Sequence, residues 1–310
     1  MGFANAQRRL VDRIAKKVAR EVAEEIAART PVHSPPSAQG SEATIALDYP
    51  PHPRVRYGYD LPAHLELAAL FAAGEEEYRQ QLNGFALHAD RMRQIPVQLS
   101  QADCEIPAWV NGWLPGLDGL AIYGFVSERS PRRYVEVGSG NSTKFARRAI
   151  RDHGLATTIT SIDPAPRAEI DGLCDTVIRS PLEDADLNLF DQLEPGDVVF
   201  IDNSHRSFQN SDVTVFFLDV LPKIPKGVLV GIHDICLPFD YPAAWLGRYY
   251  SEQYLLAAFL LGGHRGMRIV LPAFHCSVAR ELTSDLDKVW DEPYFAEVQR
   301  HGAAFWMEAT

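Results

Sequence analysis

The segment Tyr134-Val135-Glu136-Val137-Gly138-Ser139-Gly140-Asn141-Ser142-Thr143 constrains this chain more than any other. An apolar run short enough for one strand meets two glycines, and Ser142–His153 then reads as a helix. Glycines at such a junction let the backbone turn tightly and approach a ligand closely. The first turn of the following helix offers N–H groups with no partner inside the helix. A ligand-binding β–loop–α unit is therefore the starting expectation.

The rest of the chain from Arg133 repeats the same alternation. Strands are expected at Thr158–Ile162, Asp175–Arg179, Asp197–Ile201, Val228–Ile232, Met267–Leu271 and Ala303–Met307. Helices are expected at Asp212–Leu221 and, as one long element, Ala243–Leu261. Alternating strands and helices imply parallel βαβ units and a doubly wound α/β sheet. In such a sheet, ligands bind beyond the carboxyl ends of the strands, where strand order reverses.

Residues 1–30 read as an amphipathic helix, with Val11, Ile14, Val18, Val22 and Ile26 on one face. A docking or homo-oligomer helix is the expectation there. A proline-rich linker spans 31–60, where fixed φ angles and missing donors disfavour regular structure. Residues 61–125 read as a helical extension or lid, with a helix over Leu61–Gly84 and an aromatic, turn-rich stretch at Trp109–Gly119. The main domain is expected over 126–310.

Composition excludes some classes. The formal net charge is -11, which argues against a nucleic-acid partner, since that needs a positive surface. The four cysteines form no Cys-x-x-Cys pair, against a zinc knuckle or a disulfide framework. No apolar run approaches the ~20 residues that span a bilayer, and the N-terminus lacks a signal-peptide core. A cytoplasmic protein acting on a small molecule, with no integral membrane segment, is expected.

The glycine loop alone leaves two cofactor classes open. A dinucleotide site wants Gly-x-Gly-x-x-Gly, and Thr143 stands where the third glycine belongs. Glu136, just before the glycines, suits a ligand carrying an ammonium or sulfonium better than a pyrophosphate. Together with Asp163, which ends the second strand 23 residues beyond Gly140, the acidic-glycine loop resembles motif I of class I S-adenosylmethionine (SAM)-dependent methyltransferases. That resemblance implies a Rossmann-like seven-stranded sheet whose last strand, supplied by Ala303–Met307, inserts antiparallel. It implies that Glu136, Gly138, Ser139, Gly140, Ser142 and Thr143 hold SAM, that Asp163 takes the ribose hydroxyls and that Glu183 faces the adenine amine.

Two further strands end abruptly in charge: Ile201 into Asp202-Asn203-Ser204-His205, and Ile232 into His233-Asp234. Buried charges are costly unless paired or metal-bound. The Asp-x-x-His spacing is similar to that of metal-dependent O-methyltransferases of the catechol and macrolide-sugar types. By that resemblance Asp202, His233 and Asp234 are ligands of a divalent cation and His205 is the general base, with Asp202 beside it. His233 departs from the family pattern, and an imidazole favours manganese, iron or zinc over magnesium. Tyr241, Arg248 and Tyr249 supply candidate walls for the acceptor. The alternatives are a metal-independent N- or C-methyltransferase, a silent methyltransferase-like binding domain, and a nicotinamide-dependent oxidoreductase.

Overall fold

In the computed structural model, residues 51–99, 105–166 and 169–310 are described, together with 16, 17, 20–22, 24, 48 and 49. Of the amphipathic N-terminal face, Val11, Ile14, Val18 and Ile26 lie outside the described residues. Residues 16, 17, 20–22 and 24 are helical. Val22 is buried in a small apolar cluster with Cys236, Tyr241, Trp245 and Phe274.

Seven strands form one sheet: β1 Arg133–Val137, β2 Thr158–Ile162, β3 Thr176–Ile178, β4 Val198–Ile201, β5 Leu229–Ile232, β6 Met267–Pro272 and β7 Phe305–Ala309. Their order is β3-β2-β1-β4-β5-β7-β6. The first five are parallel, and β7 pairs antiparallel with both β5 and β6. This is the doubly wound α/β sheet of the methyltransferase type, with the antiparallel insertion at its end. Every residue of β4 and β5 is buried, as expected where both faces of a parallel sheet are covered and the sequence reads as a continuous apolar run. Strand order reverses between β1 and β4, so the cleft for a ligand opens beyond Val137 and Ile201.

The main helices are α1 Leu65–Ala72, α2 Glu75–Ala86, α3 Gly116–Arg129, α4 Asn141–His153, α5 Glu252–Leu261 and α6 Ser284–Trp290. Helix α3 is buried from Gly116 to Val126 and packs along α4. It replaces the second half of the expected aromatic turn segment. Helices α1 and α2 contribute Leu67, Phe71, Tyr78, Leu82 and Phe85 to the same apolar core as the sheet. The single helix expected over 61–84 is broken between Ala73 and Gly74.

The long helix expected over Ala243–Leu261 is also broken. Ala243–Arg248 is a tight 3₁₀ segment, Tyr249 adopts a left-handed conformation at φ 54°, and α5 begins only at Glu252. A left-handed residue reverses the helical path, which propensity alone did not reveal. Among the described residues no helix is long and apolar enough to cross a membrane.

Gly231 lies at the centre of the sheet. A Cβ there would stand 2.6 Å from Trp306 and 2.8 Å from Phe200, both ring carbons. Both rings are wholly buried and cannot retreat. Gly231→Val is expected to destabilise the fold by about 3 kcal/mol through overpacking, measurable as a lower urea midpoint with an unchanged slope.

Candidate functional site

The loop after β1 is fixed by its backbone. Gly138 has φ +75°, and a Cβ there would lie 1.8 Å from the Asp202 carbonyl oxygen. Only glycine fits that approach. Gly138 N–H donates to the Ile162 carbonyl at 2.9 Å, and Asp202 N–H to that of Val137 at 2.8 Å. Ser139 N–H donates to Asp163 Oδ2 at 2.8 Å, and Ala165 N–H to Asp163 Oδ1 at 2.8 Å. Each Asp163 oxygen thus keeps a lone pair for a ligand hydroxyl.

Beyond the strand ends lies a cavity of about 490 Å³. Gly138, Ser139, Gly140, Asp163 and Glu183 line one side of it. Asp202, His205, Arg206, His233, Asp234, Arg248 and Tyr250 line the other, and Asn111 and Trp113 close it from the segment before α3. Glu183 Oε2 is buried there and finds no donor within the protein. A buried acceptor without a donor is costly, so a ligand amine would satisfy it.

Glu136, Ser142 and Thr143 do not line this cavity. Glu136 is wholly buried beneath the loop. It accepts hydrogen bonds from the Tyr134 hydroxyl at 3.1 Å and from Thr143 Oγ1. Thr143 Oγ1 in turn accepts the Gly140 N–H at 3.0 Å. The expectation that Glu136 meets a cationic ligand is corrected: it is the peg that holds the loop from below. Burial pushes its carboxyl up to about 7, against the lowering effect of its hydroxyl partners.

The second half of the site is an interleaved set of acids and imidazoles. His205 Nε2 lies 3.4 Å from Asp202 Oδ1 and 3.3 Å from Asp234 Oδ2. His233 Nδ1 lies 3.4 Å from Asp202 Oδ1 and 3.6 Å from Asp234 Oδ1. Each ring is held from behind by another carboxylate: His205 Nδ1 by Glu252 at 2.8 Å, His233 Nε2 by Asp118 at 3.2 Å. His205 and Asp234 both have positive φ, 58° and 54°. Such strain persists only where the surroundings over-determine it. For His205 they do: its N–H donates to Asn203 Oδ1 at 2.9 Å, and its carbonyl accepts from Ser251 N–H at 2.8 Å.

Asp118 and Glu252 escaped the sequence reading. Asp118 is an acid inside the apolar stretch Leu117–Ile122 and is wholly buried, and that misfit was the available signal. Its carboxylate also accepts the Ala303 and Ala304 N–H groups at 2.7 and 2.9 Å. Glu252 stands at the first residue of α5, where an acid is expected for dipole reasons alone.

Burial would lower the pKa of both histidines, but the surrounding carboxylates, led by Asp234 for His205 and by Asp202 for His233, hold them well above 6.5. Burial would likewise raise Asp202, yet His233 and His205 hold it well below the usual carboxylate range. Both shifts favour the imidazolium form. Asp202, His233 and Asp234, expected as ligands of a divalent cation, come together with His205 in one acid–imidazole cluster. Of the expected acceptor walls, Arg248 lines the cavity, whereas Tyr241 is buried against α5 and Tyr249 faces outward.

Residues 135–235 match a family model described as a methyltransferase domain. That span encloses the glycine loop, Asp163, Glu183 and the acid–histidine cluster except Asp118 and Glu252. No curated protein matches the chain. Among solved structures, the SAH-bound Podospora anserina methyltransferase PaMTH1 is 16% identical at a TM-score of 0.40, covering 81% of this chain and 98% of its own. The O-methyltransferase TomG of Streptomyces achromogenes, in complex with SAM, is 15% identical at 0.34, covering 74% and 89%. The Bacillus cereus O-methyltransferase with SAH is 15% identical at 0.34, covering 74% and 90%.

Glu136 generates a stability prediction. Its folded pKa, about 7, lies above the unfolded carboxyl value, so its contribution is fully present below about 4.5 and is lost as pH rises toward 7. The loss amounts to roughly 3 kcal/mol at 1.36 kcal/mol per unit. Between pH 5 and pH 8 the wild-type urea midpoint is expected to fall relative to that of Glu136→Gln, which has no charge to bury. Parallel pH curves for the two proteins would contradict this.

Proposed function

We propose that this chain is a SAM-dependent methyltransferase that transfers a methyl group to a hydroxyl oxygen of a small polar molecule, with His205 receiving the hydroxyl proton. The observation that carries the proposal is the placement of His205 Nε2. It faces the cavity between Asp202 and Asp234 while Nδ1 is held by Glu252. A carboxylate behind an imidazole fixes the ring and stabilises the imidazolium that forms on proton transfer.

The residues on the donor side fit SAM. Asp163 presents two carboxylate oxygens with spare lone pairs for ribose hydroxyls, and Glu183 Oε2 is a buried acceptor suited to an adenine amine. When bound, SAM supplies a methyl on a sulfonium, a group already activated for transfer. What remains for the protein is to align the oxygen and take its proton. The O–H bond breaks toward His205 Nε2, the oxygen gains the methyl, and the sulfonium becomes a neutral thioether.

The resting protonation of His205 sets the pH dependence. A base held as imidazolium works only once it has lost that proton. Turnover is therefore expected to rise with pH through neutrality and to level off only above the raised His205 pKa. Glu252→Gln removes a carboxylate that stabilises the imidazolium, so the rising limb should move to lower pH. His205→Ala should cut kcat by about 10²–10⁴-fold with unchanged SAM affinity, and chelator should leave wild-type turnover intact. A pH profile that does not move in Glu252→Gln would remove His205 from this role.

Asp163→Ala tests the donor side separately. Losing hydrogen bonds to a charged group costs about 1.5–3 kcal/mol, so SAM should bind roughly 10- to 100-fold more weakly by calorimetry. Unchanged SAM affinity would displace Asp163 from the ribose.

A further inference from the structure

The acceptor side of the cavity holds two arginines that the acid–histidine cluster does not use. Arg206 and Arg248 both line it and both are half-buried. Arg206 Nε donates to the Arg248 carbonyl and Nη1 to the Ser204 carbonyl, each at 3.1 Å. Among the described residues, Arg248 Nη1 donates to the Tyr250 hydroxyl at 3.4 Å. Among the described residues neither guanidinium has a carboxylate at ion-pair distance. The chain carries 41 acidic and 30 basic residues, so carboxylates are abundant, and other half-buried arginines do find one: Arg129 pairs with Glu308 and Arg147 with Asp175. The nearby Asp212 is already spent on Ser204, accepting its N–H at 2.8 Å and its hydroxyl at 2.6 Å.

Aromatic rings order both guanidiniums. Arg248 lies 4.5 Å from the Trp245 ring centre and 5.4 Å from that of Tyr250. Arg206 lies 5.1 Å from the same Tyr250 ring, and the His205 ring is 4.7 Å from it. One tyrosine ring is thus shared by both guanidiniums and the imidazole at the reacting end. Arginines stacked in this way lose little freedom on binding, and their planar forks match carboxylate and phosphate oxygens.

We infer that the methyl acceptor carries an anionic oxygen group, a carboxylate or a phosphate, which Arg206 and Arg248 hold while its hydroxyl faces His205. This rests on the O-methyltransferase reading given above and adds the charge of the acceptor. The cavity is two-ended: acids and imidazoles handle the hydroxyl proton, and the paired guanidiniums fix the other end.

The test is a binding titration of SAH-saturated protein with 4-hydroxybenzoate, 4-hydroxyphenyl phosphate and the neutral 4-hydroxybenzamide. At least one anion should bind ten times or more tighter than the amide, and the tighter of the two identifies the group. Arg206→Gln and Arg248→Gln should each erase that preference, Arg248→Lys should keep part of it, and SAM affinity should stay at the wild-type value in all three. Equal binding of the three probes by wild-type protein, or no measurable binding of either anion, overturns the inference without needing any variant. A preference that survives in both glutamine variants overturns it too. So does a loss of SAM affinity in them, which would place the arginines on the donor's own carboxylate. Because no turnover is involved, these outcomes are separate from the failure of the oxygen reading, which would appear as methyl on nitrogen or carbon in the product.

Discussion

Two imidazoles wedged among four carboxylates set the terms for the rest of the site. Asp202 and Asp234 come from the ends of β4 and β5, but the carboxylates behind the rings come from elsewhere. Asp118 is on a helix that precedes the glycine loop, and Glu252 begins a helix that follows β5. The cluster thus fastens four separate stretches of chain at one point. Removing Asp118 or Glu252 would leave the buried ring nitrogen that it holds without that partner, a far larger penalty than losing a surface ion pair. Asp118 adds a second duty, since it also anchors the backbone leading into β7. The antiparallel strand and His233 are held by one side chain.

Much of the fold was legible because it is written in local pattern. Continuous apolar runs gave β4 and β5, and the glycine pair marked the first strand–helix junction. Asp163 stands where an apolar strand ends, so its place beside the glycine loop followed from the strand pattern. What stayed hidden was non-local. Glu136 looked like a ligand contact because the sequence does not say which face of β1 meets the cavity and which lies beneath the loop. The acids around His205 and His233 could equally have framed a metal ion. Which carboxylate stands behind which ring is decided by α3 and α5, both distant in sequence from β4 and β5. Glu252 was indistinguishable from an ordinary helix-start acid, and the left-handed turn at Tyr249 lay inside a run with good helical propensity.

Only part of the acceptor end lies inside the segment that matches the family model, namely His205, Arg206 and the acids beside them. Asn111 and Trp113 come before that span, and Trp245, Arg248, Tyr250 and Glu252 after it. Donor-side features lie inside it. The flanking segments carry no signature pattern, and their chemistry emerges only when folding brings Tyr250 against His205.

The contact between Gly138 and the Asp202 carbonyl has an implication for how such a protein can change. Donor loop and acid turn share a partition one backbone thick, with no space for even a methyl group between them. Neither face of that partition can be remodelled without disturbing the other. The outer wall at Trp113 and Arg248 is under no such restriction. Changing what this cavity admits is therefore a matter of rewriting a few side chains on that wall, while the inner partition stays as it is.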